Sequence, residues 1–244
     1  FAGGGKEAGS GTSIESIRKA GILRVGVKSD VPKFGLVNTT TNQYEGIEIE
    51  LARLIAKEIL GDANKVVFTP VTAKTRGPLL DMGEIDIVIA TFSIAAERKL
   101  IYNFSPAYYT DTVGMLVKKS SGISGLKDCN GKTIGVAQSA TSLKAIQEEA
   151  DRLNITVNFS EFATYPEIKM ALDSSQVDVF SVDKAILSGY LDDTSVILPD
   201  SFAPQNYGIA TRLDDKNLAA YINELVETWL SDGTIGGLIR RFDL

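Results

Sequence analysis

The feature that most constrains this chain is an alternation of apolar runs with amphipathic stretches. It occurs twice, in the same order and partly in the same wording. In the first half, residues 22–28 (ILRVGVK), 66–71 and 85–91 (IDIVIAT) read as strands, and 46–60 and 75–82 as helices. The run at 85–91 is almost wholly apolar, as expected of a parallel strand covered on both faces. Ile47, Leu51, Leu54, Ile55 and Ile59 fall on one helical face, and Pro78 suits a first helical turn. In the second half, 133–137, 155–159 and 177–183 read as strands and 139–153 and 164–172 as helices. Thr164 and Glu167 stand at capping-box spacing there. Glu84-Ile85-Asp86-Ile87-Val88 parallels Gln176-Val177-Asp178-Val179-Phe180, and Gly26-Val27 parallels Gly135-Val136. A β-α-β-α-β series is the mark of an α/β sheet, so the alternation predicts two α/β lobes of related design. One continuous sheet is the alternative.

Lobe one is expected over residues 14–110 and 207–244, and lobe two over 113–205. The chain would cross between them near Tyr109 to Val113 and Pro204 to Tyr207, with terminal helices over 214–229 and 234–242. Thr12-Ser13-Ile14-Glu15 fits a capping box opening a short helix that Gly21 ends. Ahead of it, residues 1–13 are rich in Gly, Ser and Ala and read as a flexible tether. Its two readings are a simple disordered tail and the spacer that follows the lipid-bearing cysteine of a lipoprotein, which would be the chain's only link to a membrane.

Composition narrows the function. With 25 basic and 31 acidic residues the net charge is −6, which argues against a nucleic-acid partner. It does not argue against an anionic ligand, because a site can be locally positive on an acidic protein. No apolar run reaches the ~18–20 residues of a membrane span. The chain has no histidine, which removes the commonest metal ligand and the usual general base. An enzyme is therefore not expected, nor a metal or cofactor. The single cysteine, Cys129, excludes an internal disulfide and reads as an inert surface or part-buried thiol.

Open α/β sheets bind ligands beyond the carboxyl ends of their strands. The segments there are Lys28, Thr72 to Arg76 and Thr91 to Arg98 in the first half, then Gln138 to Ser142, Phe162 to Tyr165 and Asp183. They hold the cations Lys28, Arg76 and Arg98, the anion Asp183 and several hydroxyls. A zwitterionic amino acid needs an anion site, a cation site and a side-chain site, and this set can supply all three.

The sequence resembles the bacterial polar-amino-acid solute-binding proteins of ABC transporters (family 3), in their aspartate/glutamate-binding branch. The resemblance runs from about Ile14 to the C-terminus. It is carried by residues 25–28 (VGVK), 73–80 (AKTRGPLL), 87–98 (IVIATFSIAAER), 104–109 (FSPAYY), 135–142 (GVAQSATS) and 178–183 (DVFSVD). It implies a type II periplasmic-binding-protein fold, two α/β lobes joined by a two-strand hinge that close over the ligand. It also implies a monomer, outside the cytoplasm, that delivers its ligand to a membrane permease and its ATPase.

By that resemblance Arg98 grips the ligand α-carboxylate, where a planar fork suits a bidentate pair better than lysine would. Thr91 and Ser93 line the same wall. Thr141, near a helix N-terminus, adds an N–H and a hydroxyl. Asp183 takes the α-ammonium, or serves as the N-cap of the helix beginning at Lys184. Arg76 and Lys28, with Tyr165, would read the side chain. Independently of the resemblance, Phe34 and Phe92 have two readings, core or hinge packing and a cover for the ligand's aliphatic stem. Three bases against one acid leave a surplus of positive charge, from which an acidic ligand, glutamate or aspartate, is expected. A binding protein for glutamine or another polar amino acid, the sensory domain of a receptor, and a dehydratase acting on cyclic acids are the alternatives.

Overall fold

The computed structural model describes residues 13–244. The tether and the Thr12 side of the predicted capping box lie outside the described residues. The first helix, α1, spans Ser13–Ala20. A five-stranded open sheet follows, built from β1 (Leu23–Val27), β5 (Val66–Pro70), β6 (Ile87–Ile89), β7 (Tyr102–Phe104) and β14 (Ala210–Arg212), in the order β5-β1-β6-β14-β7. The β5-β1-β6 pairs are parallel, and β14 runs antiparallel to both of its neighbours. Helices α2 (Ile47–Leu60), α3 (Arg76–Asp81), α4 (Ala96–Lys99), α8 (Lys216–Ser231) and α9 (Thr234–Arg241) belong to this lobe.

The second sheet has six strands: β8 (Tyr109–Lys118), β9 (Thr133–Ala137), β10 (Asn158–Phe162), β11 (Val179–Asp183), β12 (Ser195–Ile197) and β13 (Phe202–Tyr207). Its order is β10-β9-β11-β8-β12, and β13 pairs with β8 as well. Helices α5 (Ser142–Arg152), α6 (Tyr165–Asp173) and α7 (Lys184–Ser188) pack on it. The chain leaves lobe one through β8 and returns through β13. These strands are antiparallel neighbours, with Tyr109 opposite Tyr207 and Asp111 opposite Gln205. The fold is thus two α/β lobes, each built on one open sheet and joined by the β8–β13 pair.

The shared wording of the halves has one structural cause. The Asp86 carboxylate accepts the backbone N–H of Arg24 at 2.8 Å, and the Asp178 carboxylate that of Thr133 at 2.9 Å. Each aspartate therefore ties the start of its lobe's third parallel strand to the start of its first. Gly26 and Gly135 correspond too. A Cβ on either would stand 2.5 Å from Ile85 Cδ1 or 2.7 Å from Ile168 Cγ2, so glycine lets the next layer approach the central strand.

Several elements differ from expectation. Residues 30–45 form a small antiparallel sheet of β2 (Asp30–Val31), β3 (Gly35–Asn38) and β4 (Gln43–Glu45). Strand β10 begins at Asn158, three residues after the predicted start, because Asn154 turns with φ 54° and Gly131 N–H bonds the Thr156 carbonyl before the ladder opens. The capping box at Thr164 and Glu167 forms. Cys129 is fully buried rather than near the surface, and burial pushes its thiol up to about 11. One apolar cluster runs from Val25, Ile55 and Ile87 through Tyr207 to Phe180 and Leu187, so the lobes are packed together along one side.

Candidate functional site

The ends of β1, β6, β9 and β11 meet where the lobes face one another. Lys28 follows β1 and is 2% exposed; Asp183 ends β11 and is 5% exposed. Arg76 opens α3 and is buried. Its Nη1 donates to the carbonyls of Ala90 (2.7 Å) and Thr91 (3.1 Å), and its guanidinium lies 3.9 Å from the centre of the Phe92 ring. Arg98, on α4, is half-buried and stacks on the same ring at 4.9 Å. Its Nη1 donates to Ser93 O (2.8 Å) and its Nη2 crosses to lobe two, donating to Ser139 O (3.1 Å). Burial, and then Arg76, draw its pKa down to about 9.

The other predicted residues are placed less simply. Ser93 is buried and bridges to Tyr207. Thr91 is buried with φ 44°, a strained value for a β-branched residue, and its N–H and carbonyl are taken by Glu48 and Arg76. Thr141 is the N-cap position of α5, but its hydroxyl donates to Gln205 Oε1 at 2.7 Å instead of capping the helix. Asp183 stands at the N-cap position of α7 without a side-chain cap, and accepts the Tyr207 hydroxyl instead. Tyr165, at the head of α6, is buried in lobe two and lies under Lys28 Nζ, 4.4 Å from the ring centre. Phe34 packs edge-on against Tyr109 and Tyr207.

Two acids that the sequence analysis did not place in the site change its charge. Asp30 pairs with Lys28 at 3.1 Å. Glu48, in the first turn of α2, is fully buried. Its Oε1 accepts the Thr91 N–H and the Tyr108 hydroxyl (2.6 Å), while Oε2 has no hydrogen-bond partner. Burial raises Glu48 to about 7, against the pull of Tyr108, Thr91, Lys28 and Arg76. Burial likewise raises Asp183 to about 7. The sequence count of three bases against one acid is therefore corrected: Asp30, Glu48 and Asp183 stand with Lys28, Arg76 and Arg98, and of these Lys28 and Asp30 form an ion pair. Glu48 was legible in principle, since it sits three residues before Leu51 and seven before Ile55, on the apolar face of its helix.

Between the two α/β lobes, Arg98 thus reaches across to Ser139 from lobe one, and a buried carboxylate, Asp183, ends the facing strand of lobe two. The comparisons place the chain further. The model of the bacterial extracellular solute-binding proteins, family 3, matches residues 23–242. The chain is 39% identical over 226 residues to a glutamine-binding protein of Geobacillus stearothermophilus, covering 91% of this chain and 84% of the relative. It is 34% identical over 233 residues to the ABC transporter glutamine-binding protein GlnH of Bacillus subtilis (strain 168), covering 94% and 84%. Among solved structures, an ancestral arginine-binding protein bound to arginine aligns with a TM-score of 0.81 and 31% identity, over 91% of this chain and 98% of that one. The chain belongs to family 3 of the bacterial extracellular solute-binding proteins. Both curated relatives are named for glutamine, not for aspartate or glutamate.

Proposed function

We propose that the chain captures a polar L-amino acid with an uncharged side chain, glutamine foremost, and delivers it to an ABC permease and ATPase. The charge balance of the cleft carries this reading. Arg98 and Asp183 supply the partners for the α-carboxylate and α-ammonium. Lys28 and Arg76 already face Asp30 and Glu48, so a neutral ligand leaves no buried charge unmatched, whereas an acidic side chain adds one. The Lys28–Asp30 pair offers both a donor and an acceptor to a side-chain amide. The names of the curated relatives agree with this reading.

The reading takes residues 14–110 with 207–244 and 113–205 as the two moving lobes, and the β8–β13 pair as their hinge. It takes the protein as a monomer, held near the membrane by a lipid on its N-terminal tether. A second reading, glutamate, is favoured by one observation. Arg76 Nε is buried without a hydrogen-bond partner, and a ligand carboxylate would satisfy it. Calorimetric titration across the amino acids tests both, and a charged amino acid as the tightest ligand would refute the first.

A further inference from the structure

We propose that Glu48 sets the charge that the ligand side chain must carry, switching the site from glutamine towards glutamate as it is protonated. The inference rests on the amino-acid reading above but names a residue that the ligand does not have to touch.

The geometry isolates Glu48. Its neighbour Glu50, two residues on, turns outward to Arg53 (2.7 Å) and Arg241 (3.2 Å), the ordinary fate of an acid in a first helical turn. Glu48 points inward, is fully buried, and engages only one of its two oxygens. Through the Thr91 N–H it grips the same residue whose carbonyl Arg76 holds, so the carboxylate and the guanidinium brace one strained turn from opposite sides. The charged and titratable groups acting on it are Lys28 after β1, Arg76 at the head of α3 and Tyr108 ahead of β8. Two of these three are the cations that face a ligand side chain.

The consequence follows from charge counting. With Glu48 ionised, Lys28 and Arg76 meet two carboxylates, Asp30 and Glu48, and an anionic side chain is surplus. With Glu48 neutral, one buried cation is unmatched and an anionic side chain restores the balance. Burial raises Glu48 to about 7, so the change falls where both ligands keep their own charges. Asp183 titrates in the same range, but it meets the α-ammonium common to all ligands and cancels from the ratio of two affinities.

The test is the ratio of glutamate to glutamine affinity, measured calorimetrically from pH 5.5 to 8.5 on wild type, Glu48→Gln and Tyr108→Phe. In wild type the ratio is expected to rise about tenfold or more towards low pH. In Glu48→Gln it is expected to be high and flat. Tyr108→Phe removes a hydrogen bond that favours the ionised form, so the midpoint should move to higher pH. A Glu48→Gln profile that matches wild type overturns the inference. If Glu48→Gln does not fold, an unmoved midpoint in Tyr108→Phe overturns it instead. A wild type that prefers glutamate even at pH 8.5 refutes the glutamine reading alone, because the Glu48 inference is judged only on the change in the ratio. If neither ligand binds, the ratio is taken between whichever acidic and neutral amino acids do, and binding of none overturns both.

Discussion

Replacing Asp183 by Asn should weaken ligand binding and strengthen the ligand-free fold at the same time. Asp183 is 5% exposed, and burial lifts it from 3.8 to about 7. At ~1.4 kcal/mol per pH unit this corresponds to roughly 4 kcal/mol resisting ionisation, an upper figure. The folded value is the raised one. The stabilisation from neutral Asp183 is therefore complete below pH 4 or so and lost as pH rises through about 7. Asn stays neutral at every pH and its side-chain oxygen can still accept the Tyr207 hydroxyl. At pH 8 the variant without ligand should melt higher than wild type, by about 2–4 °C for each kcal/mol recovered, and near pH 4 the two should coincide. Binding behaves oppositely. The variant offers no charge to the α-ammonium, and losing one partner of a buried pair costs about 2–5 kcal/mol, or roughly 30- to several-thousand-fold in affinity. Wild type should also release a proton on binding near pH 7, because the ammonium draws Asp183 back down. The assays are melting curves at pH 4 and 8, and glutamine calorimetry in two buffers of different ionisation enthalpy. Unchanged affinity together with a lower melting temperature at pH 8 would refute the reasoning.

Four further outcomes are expected. Arg98→Ala should reduce binding of every amino acid at least ~100-fold with a near-native melting temperature, since it removes the shared carboxylate partner from a half-buried position; retained binding of any one ligand counts against that role. Arg76→Ala should lower stability by about 3 kcal/mol, because it strands buried Glu48 and frees the Ala90 and Thr91 carbonyls, and should weaken glutamate more than glutamine; equal losses for both ligands would count against Arg76 as a reader of side-chain charge. Tyr190 donates from lobe two to the Asp30 carbonyl in lobe one, so Tyr190→Phe should weaken all ligands about 3–10-fold, mainly through faster dissociation. Gly189→Ala would place a Cβ 2.7 Å from Pro32 across the same contact, and small-angle scattering should then show incomplete closure with ligand present.

The repeated strand-helix alternation carried the fold, because both central strands are buried on each face and read as apolar runs. The small sheet at 30–45 was not legible: its strands are short, edge-like and built from residues such as Gly35, Asn38 and Gln43 that show no alternation. In the site, Lys28, Arg76 and Asp183 could be picked out because they end strands or open helices, and the structure buries all three. Asp30 and Glu48 were missed for different reasons. Asp30 lies two residues past the predicted strand end at residue 28, where acids are usually solvated. Glu48 sits in a first helical turn, where an acid has a ready explanation in the helix dipole. What sequence periodicity cannot report is which acids are buried beside a cation, and that decides the charge a ligand meets.

The most direct measurement is a calorimetric titration of wild-type protein with L-glutamine and L-glutamate at pH 8 and fixed moderate salt, where Glu48 and Asp183 are mostly ionised. The account predicts that glutamine binds at micromolar affinity or better, about −8 kcal/mol, and at least ~10-fold more tightly than glutamate. Tighter binding of glutamate under those conditions would contradict it.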